Sequence, residues 1–387
     1  MIGLDLAAIK RHAPVTPGGP LGRFLRHPGP VTTDLVHRVV RVLTAAAHTL
    51  WPFALALVAL LLAYTSIGLT TRARWARRGR WVAIASPAEP DPGGGLALWR
   101  MLAPLLAGRR TLAGRRPPVA FEWHTDARGL RIGLWVSRTA SAAGVAQAVE
   151  AAWPGSRASI ATPPQLPVGS RAAGGQAYLA RPDWLPLGEE STTGDPIRGL
   201  LATLVGCTAG DMALVQVLAR PAAGRRVSRA RRAARAIRRG QPVTTVGRAL
   251  DVLARQPAAT GGSAYSDPVA LADVREITAK IGAAPHFEVA VRYAVSGPAG
   301  REGRRRRRAR LRQISAALGL YTGRNHLVGR RLARPADVLA RRRLRRGFLA
   351  SAPELAALAH LPSEPARYGL PAAPSRSIAP PPEVAHA

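Results

Sequence analysis

Cysteine, lysine and acidic residues are all scarce in this 387-residue chain. Cys207 is its single cysteine. No internal disulfide can form, which fits a reducing compartment or a chain that needs no staple. One thiolate also cannot supply the two or more ligands of a cysteine zinc site. Lys10 and Lys280 are the only lysines. A P-loop needs Gly-Lys-Ser/Thr after a Gly-rich turn, so that backbone N–H groups cradle phosphate while the lysine reaches it. Lys10 follows Ala8-Ile9 and Lys280 follows Thr278-Ala279, so neither has that context. The nine histidines show no HExxH or other paired metal spacing. No serine sits in a nucleophile-elbow pattern. His124 and His286 fall on expected strands, where a histidine satisfied within the fold is the ordinary occupant. The sequence therefore points to no enzyme, no metal and no cofactor.

The shortage of acid is the informative one. Against 56 Lys and Arg stand 22 Asp and Glu, a formal charge of +34. A GC-rich codon usage accounts for arginine over lysine, but not for so few acidic residues. A field this positive attracts nucleic acid, anionic lipid or an acidic partner.

From Val42 to Thr71 there is no Asp, Glu, Lys or Arg, and Leu50 to Ile67 is almost wholly apolar. A spanning helix needs about 20 largely apolar residues, so a transmembrane helix is expected over 42–71. Pro52 falls near its start, where it costs little. Trp51 and Tyr64 suit the two interfaces. Arg72, Arg74, Arg77, Arg78 and Arg80 follow the segment, whereas Arg26, Arg38 and Arg41 precede it. That bias orients the C-terminal side toward the cytoplasm.

The remainder reads as mixed α/β (α+β). Val119, Phe121 and Trp123 alternate with polar or small residues, Asp126–Gly129 turns the chain, and Leu130 to Val136 alternates again, which is a β-hairpin. A helix over Ser141–Trp153 and a short strand over Ala158–Ala161 follow. Asp195-Pro196 then opens a helix that leads to an apolar strand, Met212–Ala219. Asp267-Pro268 opens another, leading to the alternating strand Phe287–Val295. Each strand precedes an arginine-dense helix, so two related modules are expected. The expected organisation is a tail over 1–41, the span over 42–71 and a basic juxtamembrane segment and linker over 72–117. A first module covers 118–221, an Arg-rich connector 222–262, a second module 263–362 and a Pro-rich tail 363–387.

Three arginine clusters carry the functional signal. The first holds Arg225, Arg226, Arg229, Arg232, Arg235 and Arg239; the second Arg304, Arg305, Arg306, Arg307, Arg308 and Arg312; the third Arg342 and Arg345. Guanidinium groups bind phosphate bidentately, and counterion release makes such binding salt-sensitive and indifferent to sequence. No aromatics interleave, so base stacking is not expected. The alternative is a membrane-surface scaffold whose arginines meet anionic lipid. Further along, Ser351 and Glu354 fit a capping box before Leu355, Leu358 and Leu361, with Pro362 as the stop.

In this order the segments Val119–Ile160, Gly194–Pro221, His286–Val295 and Ser351–Pro362 resemble the non-ATPase N-terminal region of membrane-bound conjugative-transfer ATPases, the HerA/FtsK-like coupling proteins of type IV secretion. In those proteins a Glu-Leu-Ala and His-Leu-Pro stretch precedes the motor domain. Here it is matched by Glu354, Leu355 and Ala356, then His360, Leu361 and Pro362. The resemblance implies a non-catalytic membrane component that positions DNA and a separate P-loop conjugation ATPase; the arginines add anionic lipid as an expected partner, with a homo-oligomer left open. The resemblance also implies that Glu354, Leu355, Leu358 and His360 dock the ATPase; the competing reading is that Leu355 and Leu358 close the second module's core.

Overall fold

The computed structural model describes residues 33, 37, 40–42, 44, 51–66, 79–107, 118–164, 171–188, 196–239 and 268–374. The chain forms two compact units, Met1–Leu69 and Thr70–Ala387.

In the first unit residues 51–66 are helical, and Trp51, Phe53, Leu57, Leu60 and Leu62 are exposed. At 1.5 Å per residue this stretch is about 24 Å long. Among the described residues no helix is long and apolar enough to cross a membrane. Much of the remainder of the expected 42–71 span lies outside the described residues.

The second unit is α+β and is built on one antiparallel sheet of nine strands, in the order β4 (Arg157–Ala161), β1 (Arg80–Ala85), β3 (Gly129–Val136), β2 (Val119–Asp126), β6 (Met212–Pro221), β7 (His286–Gly297), β5 (Arg171–Leu179) and β8 (Leu327–Arg331), with β9 (Phe348–Ser351) also on β7. The expected hairpin is β2 (Val119–Asp126) and β3 (Gly129–Val136), closed where Asp126 faces Gly129. Gly129 has φ +110°, a conformation that L side chains rarely adopt. Helix α2 (Ala142–Ala152) starts where the Ser141 hydroxyl accepts from the Gly144 N–H, and it buries Val145, Ala148, Val149 and Ala152. Strand β4 (Arg157–Ala161) follows.

The stretch expected as linker is structured. It supplies β1 (Arg80–Ala85), paired with both β3 and β4, and α1 (Gly94–Leu106). Pro104 does not break α1, because it lies in the last turn, where few later bonds are lost. The Gly-rich stretch after β4 holds β5 (Arg171–Leu179), which pairs with β7 and β8. Its glycines answer to Tyr293: a Cβ on Gly175 would stand 2.5 Å from the Tyr293 hydroxyl.

Helix α3 (Pro196–Leu204), β6 (Met212–Pro221) and α4 (Gly224–Arg238) form one helix–strand–helix run. Helix α5 (Pro268–Gly282), β7 (His286–Gly297) and α6 (Gly300–Leu318) form the second. Asp195 and Asp267, the expected N-caps, lie outside the described residues. The two runs share one sheet: β6 pairs antiparallel with β7 from Met212↔Ser296 to Pro221↔Phe287. Antiparallel pairing brings the start of one strand beside the end of the other. Accordingly α3 packs on α6, and α5 packs on α4.

The chain then forms β8 (Leu327–Arg331), α7 (Pro335–Ala340), β9 (Phe348–Ser351) and α8 (Ala352–Leu358). One face of the sheet carries Phe121, Trp123, Val215, Val217, Val289, Val291 and Tyr293 in the main core, with α1, α2, α3, α6 and α8 contributing to it. The indole N–H of Trp99 on α1 donates to the Ala359 carbonyl at 2.9 Å and ties α1 to the end of α8. The opposite face carries Ala120, Leu218 and Ala290 beneath Leu344, and Leu214 and Ala294 beneath Leu339. Both faces of β7 are therefore covered, and its polar residues are buried along with its apolar ones. The beginning of the expected Pro-rich tail also packs: the Ala373 N–H donates to the Ser86 carbonyl at 2.8 Å.

Candidate nucleic-acid interface

Helix α6 is amphipathic in an unusual way. Ile314, Ala317 and Leu318 enter the main core, while Arg301, Arg304, Arg305, Arg306, Arg308 and Arg312 are exposed. Arg307 departs from the expectation. It is buried, and its guanidinium donates to the Gly297 carbonyl at 3.1 Å and to the Pro298 carbonyl. Three residues on, Arg310 donates to the Gly206 carbonyl at 3.1 Å and to Cys207 Sγ at 2.8 Å, at the end of α3. Positions 307 and 310 are a turn apart, on the helix side that meets the chain. Both hold backbone carbonyls of the loops beside the helix.

Helix α4 turns Ala230, Ala233 and Ala234 toward Ile277 of α5, Trp184 and Leu349. Alanine suffices because small side chains let the two helices approach closely. Arg225, Arg229, Arg231, Arg232, Arg235, Arg238 and Arg239 are exposed. Arg229 lies over the Trp184 ring, 5.7 Å from its centroid. Arg226 differs: it donates to Asp183 at 2.9 Å and to Glu288 at 3.2 Å, and so braces α4 on the sheet.

These faces are electrostatically costly to the fold. Arg301/Arg305, Arg304/Arg308 and Arg308/Arg312 are like charges four apart, as are Arg225/Arg229, Arg231/Arg235 and Arg235/Arg239. Each such pair costs roughly 0.2–0.5 kcal/mol. Arg225 and Arg301 also stand at helix N-termini, where the macrodipole disfavours cations. The only acidic residue in either helix is Glu302, which pairs with Arg306 at 3.1 Å. A bound polyanion would relieve all of these repulsions.

The third cluster divides. Arg345 is exposed, while its carbonyl accepts from the Gln176 amide at 3.3 Å. Arg342 is buried and leaves the expected interface. Its Nε donates to Glu122 Oε1 at 2.6 Å and its Nη2 to Glu122 Oε2 at 3.1 Å. It also lies over Trp135, 5.4 Å from the ring centroid. Arg342 and Arg346 adopt φ of +44° and +52°, an uncommon region for non-glycine residues. The Glu122 carboxylate further accepts from Gln216 at 2.6 Å and from His124 Nε2 at 2.9 Å. Burial by itself would raise the Glu122 pKa, but the Arg342 charge and the bonds from His124 and Arg342 outweigh it and hold the carboxyl at about 2. Burial pushes His124 down, so the imidazole is neutral and carries its proton on Nε2. Sequence reasoning missed this network. Its only signal was Glu122 and His124 spaced two apart on an alternating strand. Among the described residues no three His, Cys, Asp or Glu converge as metal ligands would.

The expected docking residues lie inside the fold, which corrects that assignment. Leu355 and Leu358 belong to the main core. Glu354 is 2 % exposed, and its carboxylate is taken up by groups of Ser351, Leu187 and Lys280. The Ser351 N–H completes the capping box at 2.7 Å, the Leu187 N–H donates at 2.7 Å, and Lys280 Nζ lies at 3.0 Å. His360 is half-buried and donates from Nδ1 to the Ala356 carbonyl at 2.8 Å. The apolar face of α8 is needed by the sheet beneath it, so it is not available to a partner.

The family model described as a domain of unknown function (DUF8128) matches residues 96–367. The chain belongs to the DUF8128 family. The match begins within α1 and ends within the short 3-10 turn Pro365–Tyr368. Both arginine helices, the Glu122 network and the capped helix α8 of this DUF8128 chain fall inside it. No curated protein matches the chain.

Proposed function

We propose that this chain is a membrane-anchored, non-catalytic component of a bacterial conjugative DNA-transfer (type IV secretion) apparatus, and that α4 and α6 hold DNA through its phosphates. The observation that carries the reading is the outer face of each helix: exposed arginines at repulsive spacing, whose one acidic partner among the described residues is Glu302. Stability does not favour such faces, whereas phosphate does, because each guanidinium matches two phosphate oxygens. The apolar 42–71 segment supports anchoring at the inner membrane, with the basic C-terminal region on the cytoplasmic side. The absence of a P-loop at either lysine assigns the motor step to a separate ATPase. Its docking surface lies elsewhere than Leu355 and Leu358.

The test is the salt dependence of DNA binding by the full chain in detergent. Each phosphate contact contributes about 0.9 to the log–log slope on duplex DNA and about 0.7 on single strands. Replacing Arg304, Arg305, Arg306 and Arg308 with glutamine should flatten the slope, whereas replacing Arg342 should leave it unchanged. A slope unaffected by changes in both α4 and α6 would overturn the reading. Equal binding to anionic vesicles, with no binding to DNA, would replace it with a lipid-binding scaffold.

A further inference from the structure

Helices α4 and α6 follow equivalent strands, but the antiparallel pairing of those strands sends them to opposite ends of the sheet. Pro221, where β6 ends, faces Phe287 near the start of β7; Met212, where β6 begins, faces Ser296 near the end of β7. At about 3.4 Å per residue the two exits are about 30 Å apart.

The helices also lie on opposite faces. Helix α6 inserts Ile314 and Leu318 among Val291 and Tyr293. Helix α4 packs on α5, which meets β9, and both helices share a cluster with Leu349, whose neighbours Phe348 and Ala350 point the other way, into the main core. Arg226 on α4 reaches Glu288, which is likewise on the face opposite Val289 and Val291. A helix layer sits about 10 Å from a sheet, so the two arginine faces look outward in opposed directions from a body at least about 20 Å thick.

We propose that one chain holds two separate duplex segments at the same time, one on α4 and one on α6. The proposal rests on the phosphate-binding reading above and adds to it the geometry of the partner. A single straight duplex cannot touch both faces. Duplex DNA has a persistence length of about 50 nm, and bending a 20–30 bp site by 40–90° already costs roughly 1–6 kcal/mol. Reversing direction around this body would need a sharper bend. Two segments need none.

The experiment uses the full chain in detergent. A duplex of 30 bp is fixed to beads, the chain is added, unbound protein is washed away, and a second, fluorescent duplex of unrelated sequence is offered. The wild-type chain is expected on the beads together with the second duplex. Arg231→Gln with Arg232→Gln and Arg235→Gln on α4, or Arg304→Gln with Arg305→Gln and Arg308→Gln on α6, should each leave protein on the beads. Each should also lower second-duplex capture at least tenfold. Both sets are exposed, so thermal melts should match wild type. Mixing the two variants should not restore capture. Capture that survives in either variant, or returns on mixing, overturns the proposal in favour of bridging between chains. Wild-type protein retained without a second duplex overturns bridging alone. Wild-type protein that never binds the beads overturns both bridging and the underlying reading.

Discussion

Lys280 Nζ stands 3.0 Å from Glu354 Oε1, and both side chains are 2 % exposed. The same ammonium donates to the carbonyls of Asp183, at 2.9 Å, and Leu185, at 3.3 Å. The pair joins α5 to the start of α8 and to the 183–187 segment. Removing one partner of a buried pair leaves the other charge uncompensated, at a cost of about 3–5 kcal/mol. Lys280→Ala should therefore lower the urea midpoint strongly without a change in m-value. The salt slope of DNA binding should stay at its wild-type value, since Lys280 reaches no surface.

The Glu122 network makes stability pH-dependent in two windows. The folded carboxyl titrates at about 2 against an ordinary 4.5, so as pH falls the unfolded chain takes the proton first. The associated stabilisation is full above 4.5 and is lost between 4.5 and about 2. His124 is likewise depressed, from 6.5, because burial disfavours its cation. The neutral form stabilises the fold above 6.5, and that contribution shrinks as pH falls below it. Urea unfolding in steps from pH 7.5 to pH 3.5 should show stability declining through both windows. His124→Gln should flatten the upper window.

Helix α8 should behave as core. Leu355→Ala or Leu358→Ala leaves a cavity under the sheet and should cost about 2–5 kcal/mol each. Truncation after Arg346 removes β9 and α8 together, and with them the partners of Trp99 and Lys280. The truncated chain should lose its cooperative thermal transition. A truncated chain that melts like the full one would return α8 to the role of a docking element.

The apolar 42–71 segment should hold the full-length chain in the membrane through carbonate extraction. Deleting 1–71 should release the remainder. Full-length protein found in the soluble fraction would remove the anchor from the proposal.

Local pattern was enough for the hairpin, α2, β6, β7 and both arginine helices. The hairpin, α2 and the later helix α8 are bounded by turn or capping chemistry that acts within a few residues: Gly129 at positive φ, Ser141 over Gly144, Ser351 with Glu354. Strand β5 was illegible for the opposite reason. Gly174 and Gly175 weaken a strand taken by itself, and they are required only because the Tyr293 backbone and ring lie against them in the folded sheet. Strand β1 was hidden by the arginines beside it, yet Gly133 of β3 is shaped for it: a Cβ there would stand 2.4 Å from the Trp81 ring.

The arginines divide along the same line. Sequence by itself determined that α4 and α6 would be helices too charged to bury, because composition and 3.6-residue spacing decide that locally. Only tertiary structure decided which arginines are free. Arg307 and Arg342 read like their neighbours, but one turns inward to the carbonyls ending β7 and the other meets a carboxylate 220 residues away. Tertiary structure also decided that the two helices leave opposite ends of the sheet, because that follows from the antiparallel pairing of β6 with β7. A contact between distant residues depends on the whole chain's closure, and no periodicity in either segment encodes it.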